Sequence, residues 1–213
     1  MLRAMATLIA LHGYTHNGTV MRAALAPLMG RLPAELELRC PDGPVACSPP
    51  SVDRLYAVMG GVRQSGPYRS WWDASADGRV YRDWELTREL IRAELERAPG
   101  AGVLGFSQGG MLAATVAALS ARGELPAIAF AIMIAGRAPR AELMQPWFVD
   151  PIAVPSLHVW GERDEQSAPA SRALTQRFDP RTARTLIWPG PHVIPSSGPA
   201  ADAIVEQIAT FFA

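Results

Sequence analysis

A serine lies between two glycines in the segment Gly105-Phe106-Ser107-Gln108-Gly109. The apolar residues before this serine predict a strand, and the Gly- and Ala-rich residues after it predict a helix. A serine on such a strand-to-helix turn is held in a strained, exposed position, which is typical of a nucleophile elbow. The flanking glycines let the strand and the helix approach closely, because neither carries a Cβ atom. The helix N-terminus adds backbone N–H groups where an oxyanion would form.

A serine hydroxyl needs a base and an orienting carboxylate to act as a nucleophile at neutral pH. His192 is the preferred base, because it lies in a loop between the last predicted strand and the last predicted helix. Asp164 is the preferred carboxylate, because it closely follows a strand and so reaches the sheet edge where open α/β sheets bind ligands. Glu162 and Glu165 are its rivals, with solvated surface charge as their alternative role. His158 lies inside a predicted strand and is interpreted as a packed core histidine.

An oxyanion hole needs a second donor, which is expected from the loop after the first strand. The segment His12-Gly13-Tyr14 turns at that point. The backbone N–H groups of Tyr14 and Gln108 are therefore the expected oxyanion donors. Loss of one such donor typically costs about 3 to 4 kcal/mol of transition-state stabilisation.

These residues must be positioned by a sheet, and the sequence predicts one. Short apolar runs alternate with stretches of helical period, which is typical of a parallel sheet covered by helices. The six apolar runs comprise residues 6–11, 35–40, 101–106, 127–135, 156–161 and 183–188. Helices are predicted over residues 83–98 and 111–120. The predicted fold class is therefore α/β.

Two segments, 41–80 and 137–154, fit neither period, and we expect them to form a cap over the substrate pocket of a single domain spanning residues 1–213. Their apolar residues indicate an apolar acyl slot, although each of them could instead fasten its loop to the core. These candidate substrate-binding residues are Trp71, Trp72, Met144, Trp147 and Phe148. Arg137 and Arg140 could bind a carboxylate or phosphate of the substrate, but solvated surface charge is the preferred interpretation.

The composition excludes several other functions. All 20 basic residues are arginine and balance 20 acidic residues, so lysine-dependent phosphate loops and Schiff bases are excluded and no nucleic-acid partner is indicated. No run of 18 apolar residues predicts a membrane span. Cys40 and Cys47 are interpreted as free thiols, and the first eleven residues as a strand rather than a signal peptide. We therefore expect a cytoplasmic protein that uses no cofactor and no metal.

Several segments, in order along nearly the whole chain, resemble the α/β-hydrolase superfamily and, within it, the FSH-type serine hydrolases, a group of small esterases and thioesterases. The matching segments are Leu11-His12-Gly13-Tyr14 with Asn17-Gly18, Trp71-Trp72, Gly105-Phe106-Ser107-Gln108-Gly109-Gly110, Pro155-Ser156-Leu157-His158-Val159-Trp160-Gly161, and Gly190-Pro191-His192-Val193-Ile194-Pro195. The resemblance implies a nucleophile at Ser107, an acid at Asp164 and a base at His192. It also implies a three-layer fold with a mostly parallel six-stranded sheet in the order 2-1-3-4-5-6.

The function expected from these features is hydrolysis of a carboxylic ester through a Ser-His-Asp triad and an acyl-enzyme, with a hydrophobic acyl group of short to medium length. The partner would be a small-molecule ester or thioester. A thioesterase or an acyltransferase with the same acyl-enzyme is the alternative, and a catalytically silent binding module is less favoured. A nucleotide-binding Rossmann domain is disfavoured, because the G-x-G-x-x-G spacing is missing. The oligomeric state stays open.

Overall fold

A six-stranded sheet forms the centre of the fold. The computed structural model describes residues 6–48, 52–53 and 66–212 of the chain. The strands are β1 (Thr7–Leu11), β2 (Glu37–Arg39), β3 (Gly102–Phe106), β4 (Phe130–Ile134), β5 (Ser156–Gly161) and β6 (Ala183–Trp188). They lie in the order β2-β1-β3-β4-β5-β6, and every neighbouring pair is parallel. The predicted fold class and strand order are confirmed.

The register of the sheet places the ends of its central strands at one edge. Leu11 of β1 lies opposite Gly105, and Phe106 at the end of β3 lies opposite Ile134 at the end of β4. Ile134 in turn lies opposite Val159 of β5. Strands β1, β3, β4 and β5 are buried along their whole length, as expected for strands covered on both faces. The residues that follow these strands therefore meet at one edge.

Five helices in the described ranges cover the sheet. They are α1 (Gly18–Met29), α2 (Trp84–Arg97), α3 (Gln108–Ala121), α4 (Ala168–Thr175) and α5 (Gly198–Phe212). Alternate residues of β1 belong to two separate hydrophobic clusters, one packed against α2, α3 and α4 and the other against α1 and α5. The helices thus lie on both faces, and the three-layer arrangement predicted from the sequence is confirmed. None of the helices within the described part of the chain is long and apolar enough to cross a membrane.

The two segments expected to be irregular contain short regular elements. Val45–Ala46 pairs with Arg69–Ser70, and Asp73–Ala74 pairs with Tyr81–Arg82, both antiparallel. Glu142–Phe148 forms a 3-10 helix. Strands of two residues are too short to show a period in the sequence, which explains why they were not predicted. Residues 49–51 and 54–65 of the first segment lie outside the described residues.

Candidate active site

Ser107 lies on the turn between β3 and α3 with φ of 54° and ψ of −112°. A positive φ is uncommon for a residue with a Cβ atom, and such strain is often found at functional sites. A Cβ atom on Gly105 would overlap the backbone of Gly109, and one on Gly109 would overlap the backbone of Leu11. Both flanking residues must therefore be glycine for β1, β3 and α3 to pack this closely.

A chain of hydrogen bonds connects Ser107, His192 and Asp164. His192 Nε2 lies 3.0 Å from Ser107 Oγ, and His192 Nδ1 lies 2.6 Å from Asp164 Oδ2. Because a carboxylate only accepts, Nδ1 carries the proton in this arrangement, and Nε2 can accept the proton of the serine hydroxyl. Asp164 is 4% exposed, whereas Glu162 and Glu165 are both exposed. The structure thus brings together the three residues selected from the sequence.

Ser167 also contacts this chain of hydrogen bonds, and the sequence analysis missed it. Its Oγ lies 3.1 Å from His192 Nδ1, and its backbone N–H donates to Asp164 Oδ1 at 3.1 Å. It directly precedes α4, whose first turn contains a proline. A serine shortly before a proline is a helix-start signal, and this signal could have placed Ser167 beside Asp164.

The expected oxyanion donors lie beside the serine. Tyr14 and Gln108 both line the same cavity as Ser107. The N–H of His16 donates to the carbonyl of Gly13 at 3.1 Å, and Thr15 has φ of 62°, so the loop after β1 turns tightly. Gln108 is the first residue of α3, where backbone N–H groups have no partner within the helix. The oxyanion role of both N–H groups stays a prediction.

His12 holds the loop after β1 through hydrogen bonds, a role that was not predicted from the sequence. The N–H of Gly43 donates to its Nε2 at 2.8 Å, so Nδ1 carries the proton and donates to the carbonyl of Gly13, also at 2.8 Å. Trp71 Nε1 donates to the carbonyl of His12 at 2.8 Å. Burial lowers the pKa of His12 to about 4, which keeps the ring neutral near pH 7. A neutral, fully bonded histidine therefore holds the loop that carries Tyr14.

The Ser107 hydroxyl and His192 border a cavity of about 620 Å³. Trp72 is the one apolar candidate from the two irregular segments that lines it, and its ring stacks on Tyr81 with 4.7 Å between centroids. Tyr81 and Met111 also line the cavity and were not predicted. Met111 lies one helical turn after Ser107, a spacing that could have indicated it.

The other four aromatic and apolar candidates lie outside this cavity, contrary to expectation. Trp71 and Met144 are fully buried in the core, and Phe148 is 4% exposed. Trp147 packs against Trp84 with 5.8 Å between ring centroids. The physical reason is that these large side chains remove more apolar surface from water by packing on the core beneath α2 and α3 than by lining an open cavity. Their role is to hold the segments in place.

The remaining histidines and cysteines form no metal centre within the described ranges, where no group of three or more potential ligands is found. His158 is buried, contacts Ser156 Oγ through Nε2 at 3.1 Å and packs edge-on against Phe178. Burial lowers its pKa to about 4. It is a packed core residue, in agreement with the sequence interpretation.

A parallel sheet in the order 2-1-3-4-5-6, with a serine elbow and a His-Asp pair at one edge, defines an α/β-hydrolase. The chain belongs to the serine hydrolase (FSH1) family, whose model matches residues 2–204. The esterase OVCA2 of Bos taurus is 32% identical over an alignment of 224 residues, gaps included, that covers 96% of each chain.

Solved structures show the same fold. The acyl-protein thioesterase 2 of Zea mays superimposes with a TM-score of 0.69 at 19% identity, covering 98% of this chain and 94% of that one. A carboxylesterase from Mesorhizobium loti gives a TM-score of 0.67 at 18% identity, covering 97% of this chain and 90% of that one. These likenesses confirm the α/β-hydrolase fold.

Proposed function

We propose that the protein hydrolyses carboxylic esters, with Ser107 as nucleophile, His192 as general base and Asp164 as orienting acid. The observation that carries this proposal is the unbroken hydrogen-bonded chain from Ser107 Oγ through the His192 ring to Asp164. The esterase OVCA2 of Bos taurus, which aligns over 96% of this chain, supports the choice of an ester substrate.

In the acylation step, His192 Nε2 removes the proton of Ser107 as Oγ attacks the ester carbonyl carbon. The carbonyl oxygen becomes an oxyanion, which is stabilised by the N–H of Tyr14 in the loop after β1 and the N–H of Gln108 at the start of α3. Asp164 stabilises the imidazolium that forms, and His192 then donates its proton to the leaving alcohol. An acyl group remains bound to Ser107 Oγ.

In the deacylation step, a water molecule takes the place of the alcohol. His192 removes a proton from this water, the resulting hydroxyl attacks the acyl carbon, and the proton returns to Ser107 Oγ as the carboxylic acid departs. The same three side chains therefore act twice, which is why they act as a unit in mutational tests.

The cavity supports a short-to-medium acyl group. Trp72, Tyr81 and Met111 supply an apolar wall beside Ser107. A volume of about 620 Å³ lies within the usual range for small-molecule sites. The acyl chain would pack on this wall.

We propose that residues 1–213 act as one catalytic domain, with segments 41–80 and 137–154 bordering the cavity. The cavity is lined by Ala74 and Gly78 from the first segment and by Arg137 from the second, which supports this arrangement.

The cysteines Cys40 and Cys47 are free thiols, consistent with the reducing cytoplasm that we propose as the location of the protein.

Labelling with a fluorophosphonate probe tests the nucleophile. The matched control is Ser197→Ala, because Ser197 is exposed and does not line the cavity. The wild-type protein and this control should be labelled equally, whereas Ser107→Ala should not be labelled. Retained labelling of Ser107→Ala would refute the assignment.

The acyl preference is tested with 4-nitrophenyl esters of increasing chain length, and a kcat/KM profile that peaks at acetate would contradict the proposed acyl group.

A further inference from the structure

Two arginines lie in the wall of the cavity that contains Ser107. Arg137 and Arg140 follow β4, and both line the cavity together with Ser107 and His192. From the sequence, solvated surface charge is the preferred interpretation for both. Both side chains are exposed, which agrees with that interpretation, and both also border the cavity where the proposed ester would bind.

The backbone around Arg137 is held in place by specific contacts. Ala135, at the end of β4, has φ of 51°, an uncommon value for a residue with a Cβ atom. The carbonyl of Gly136 accepts a hydrogen bond from Ser171 Oγ at 2.7 Å. These two features turn the chain at the sheet edge and bring Arg137 to the cavity.

Arg140 is held by the other irregular segment. Its backbone N–H donates to Tyr81 Oη at 3.1 Å. Its guanidinium lies against Gly78, where a Cβ atom would overlap it, and Gly78 has φ of 70°. A side chain at position 78 would therefore be strained and would also displace Arg140. The backbone and the guanidinium of Arg140 thus both contact residues about 60 positions away in the sequence.

The neighbouring carboxylates are already engaged. Asp73 pairs with Arg82 at 2.6 Å, and Glu142 pairs with Arg79 at 3.2 Å. In the part of the chain that the structure describes, neither Arg137 nor Arg140 forms an ion pair with a carboxylate. Partial desolvation of the Arg137 guanidinium lowers its pKa, and the positive charge of Arg140 lowers it further. Two adjacent cations in a cavity repel each other, and a bound anion would relieve this repulsion.

We infer that Arg137 and Arg140 form a subsite that binds a carboxylate or phosphate group of the substrate. This inference rests on the proposed function, because it adds an anionic group to the ester that Ser107 would attack. Guanidinium groups suit this role, since their planar N–H groups match both anions in bidentate geometry. The apolar wall would hold the acyl chain, and the anion would lie at the arginines. The anion could belong to the acyl chain or to the alcohol.

Stable amide analogues test the subsite without requiring turnover. For an anion on the alcohol side, the probe is 4-(butanoylamino)benzoate, and its neutral match is 4-(butanoylamino)benzamide. For an anion on the acyl side, the probe is 6-anilino-6-oxohexanoate, with the corresponding primary amide as its match. Isothermal titration calorimetry gives the dissociation constants for the wild type, Arg137→Gln, Arg140→Gln and the double variant.

We expect the wild type to bind the anion of at least one pair about tenfold more tightly than the neutral match, as for charge-assisted hydrogen bonds. The preference should decrease at high ionic strength and disappear in the double variant. Each single variant should lose part of the preference for the anion. The single variants also test the inference if the double variant does not fold. The pair that shows the preference identifies the side that carries the anion.

Arg172→Gln removes the same charge from an exposed position in α4 outside the cavity lining, so it should keep the full preference. Equal binding of anion and neutral match in both pairs would overturn the inference, as would a preference that survives in the double variant. A preference that the double variant abolishes, in a protein that hydrolyses no ester, would support the subsite while refuting the proposed esterase function.

Discussion

The side-chain carbonyl of Gln108 accepts a hydrogen bond from the backbone N–H of Trp71, with 3.1 Å between Oε1 and N. Its side-chain nitrogen lies 3.5 Å from the carbonyl oxygen of Trp72. Gln108 directly follows the nucleophile, and Trp72 forms part of the cavity wall. One side chain therefore connects the serine turn to the wall against which the acyl chain would pack.

Replacing Gln108 with alanine should weaken this connection. The N–H of Trp71 would lose its acceptor in a buried segment, a loss that costs about 1 to 3 kcal/mol. We expect kcat/KM for 4-nitrophenyl butyrate to fall about tenfold as Trp72 becomes less well positioned. Gln207→Ala is the matched control, because Gln207 bonds Arg184 on the exposed surface and should leave kcat/KM unchanged. Equal kinetics in the two variants would show that the connection is dispensable.

Asp164 and Ser167 both contact His192 Nδ1, and their removal should differ strongly in effect. Asp164→Asn replaces the acceptor of the 2.6 Å bond with an amide that favours the wrong tautomer of His192, and kcat should fall by about 10⁴. Ser167→Ala removes a contact at 3.1 Å and should lower kcat by less than about tenfold. Steady-state kinetics of the two variants provide the measurement. A larger loss in Ser167→Ala would make Ser167 the main orienting residue.

Two buried histidines should make stability depend on pH. Burial lowers the pKa of His12 and of His158 to about 4, whereas both titrate near 6.5 in the unfolded chain. Between these values the unfolded state binds protons that the folded state excludes, so the free energy of unfolding falls as the pH drops from 6.5 to 4. Each histidine should contribute about 3 kcal/mol.

Urea unfolding across this pH range checks the expectation. His158→Leu should show a clearly smaller decrease than the wild type, whatever its stability at pH 7, while His12 and His16, whose pKa values burial also lowers, keep their contributions. Asp179, whose pKa is lowered to about 2 by its bonds to Arg181, loses its contribution only below about pH 4, outside the tested range. An unchanged pH dependence in His158→Leu would show that other groups cause the decrease.

The serine turn could be predicted from the sequence because its determinants are local. An apolar run, a glycine on either side of the serine and a small-residue helix lie within about 20 residues, and the structure places Ser107 between β3 and α3 accordingly. The order of the six strands followed from the resemblance to a family with a known topology. The bounds of β4 were less well predicted, because the apolar run begins at residue 127, whereas the strand begins at Phe130.

The cavity wall could not be predicted, because it depends on contacts between distant segments. Trp71 and Trp72 are adjacent and both are buried in the core, yet Trp72 also borders the cavity and Trp71 does not. Neighbouring side chains of an extended segment face opposite sides, and no period in a short segment shows which side is the core. The guanidinium of Arg140 likewise lies beside Gly78, a contact between distant residues that the sequence does not show.

Gly105 and Gly109 should tolerate no side chain. A Cβ atom on Gly105 would overlap the backbone of α3, and backbone atoms cannot rotate away as a flexible side chain can. We expect Gly105→Ala to lower the free energy of unfolding by about 3 kcal/mol or more and to abolish fluorophosphonate labelling as the turn moves. Gly30→Ala is the matched control, since the nearest atom to its new Cβ would be Ala26 O at 3.5 Å and its φ is −63°. Thermal unfolding and labelling of both variants are the measurements, and wild-type values in Gly105→Ala would mean that the turn does not require glycine before Ser107.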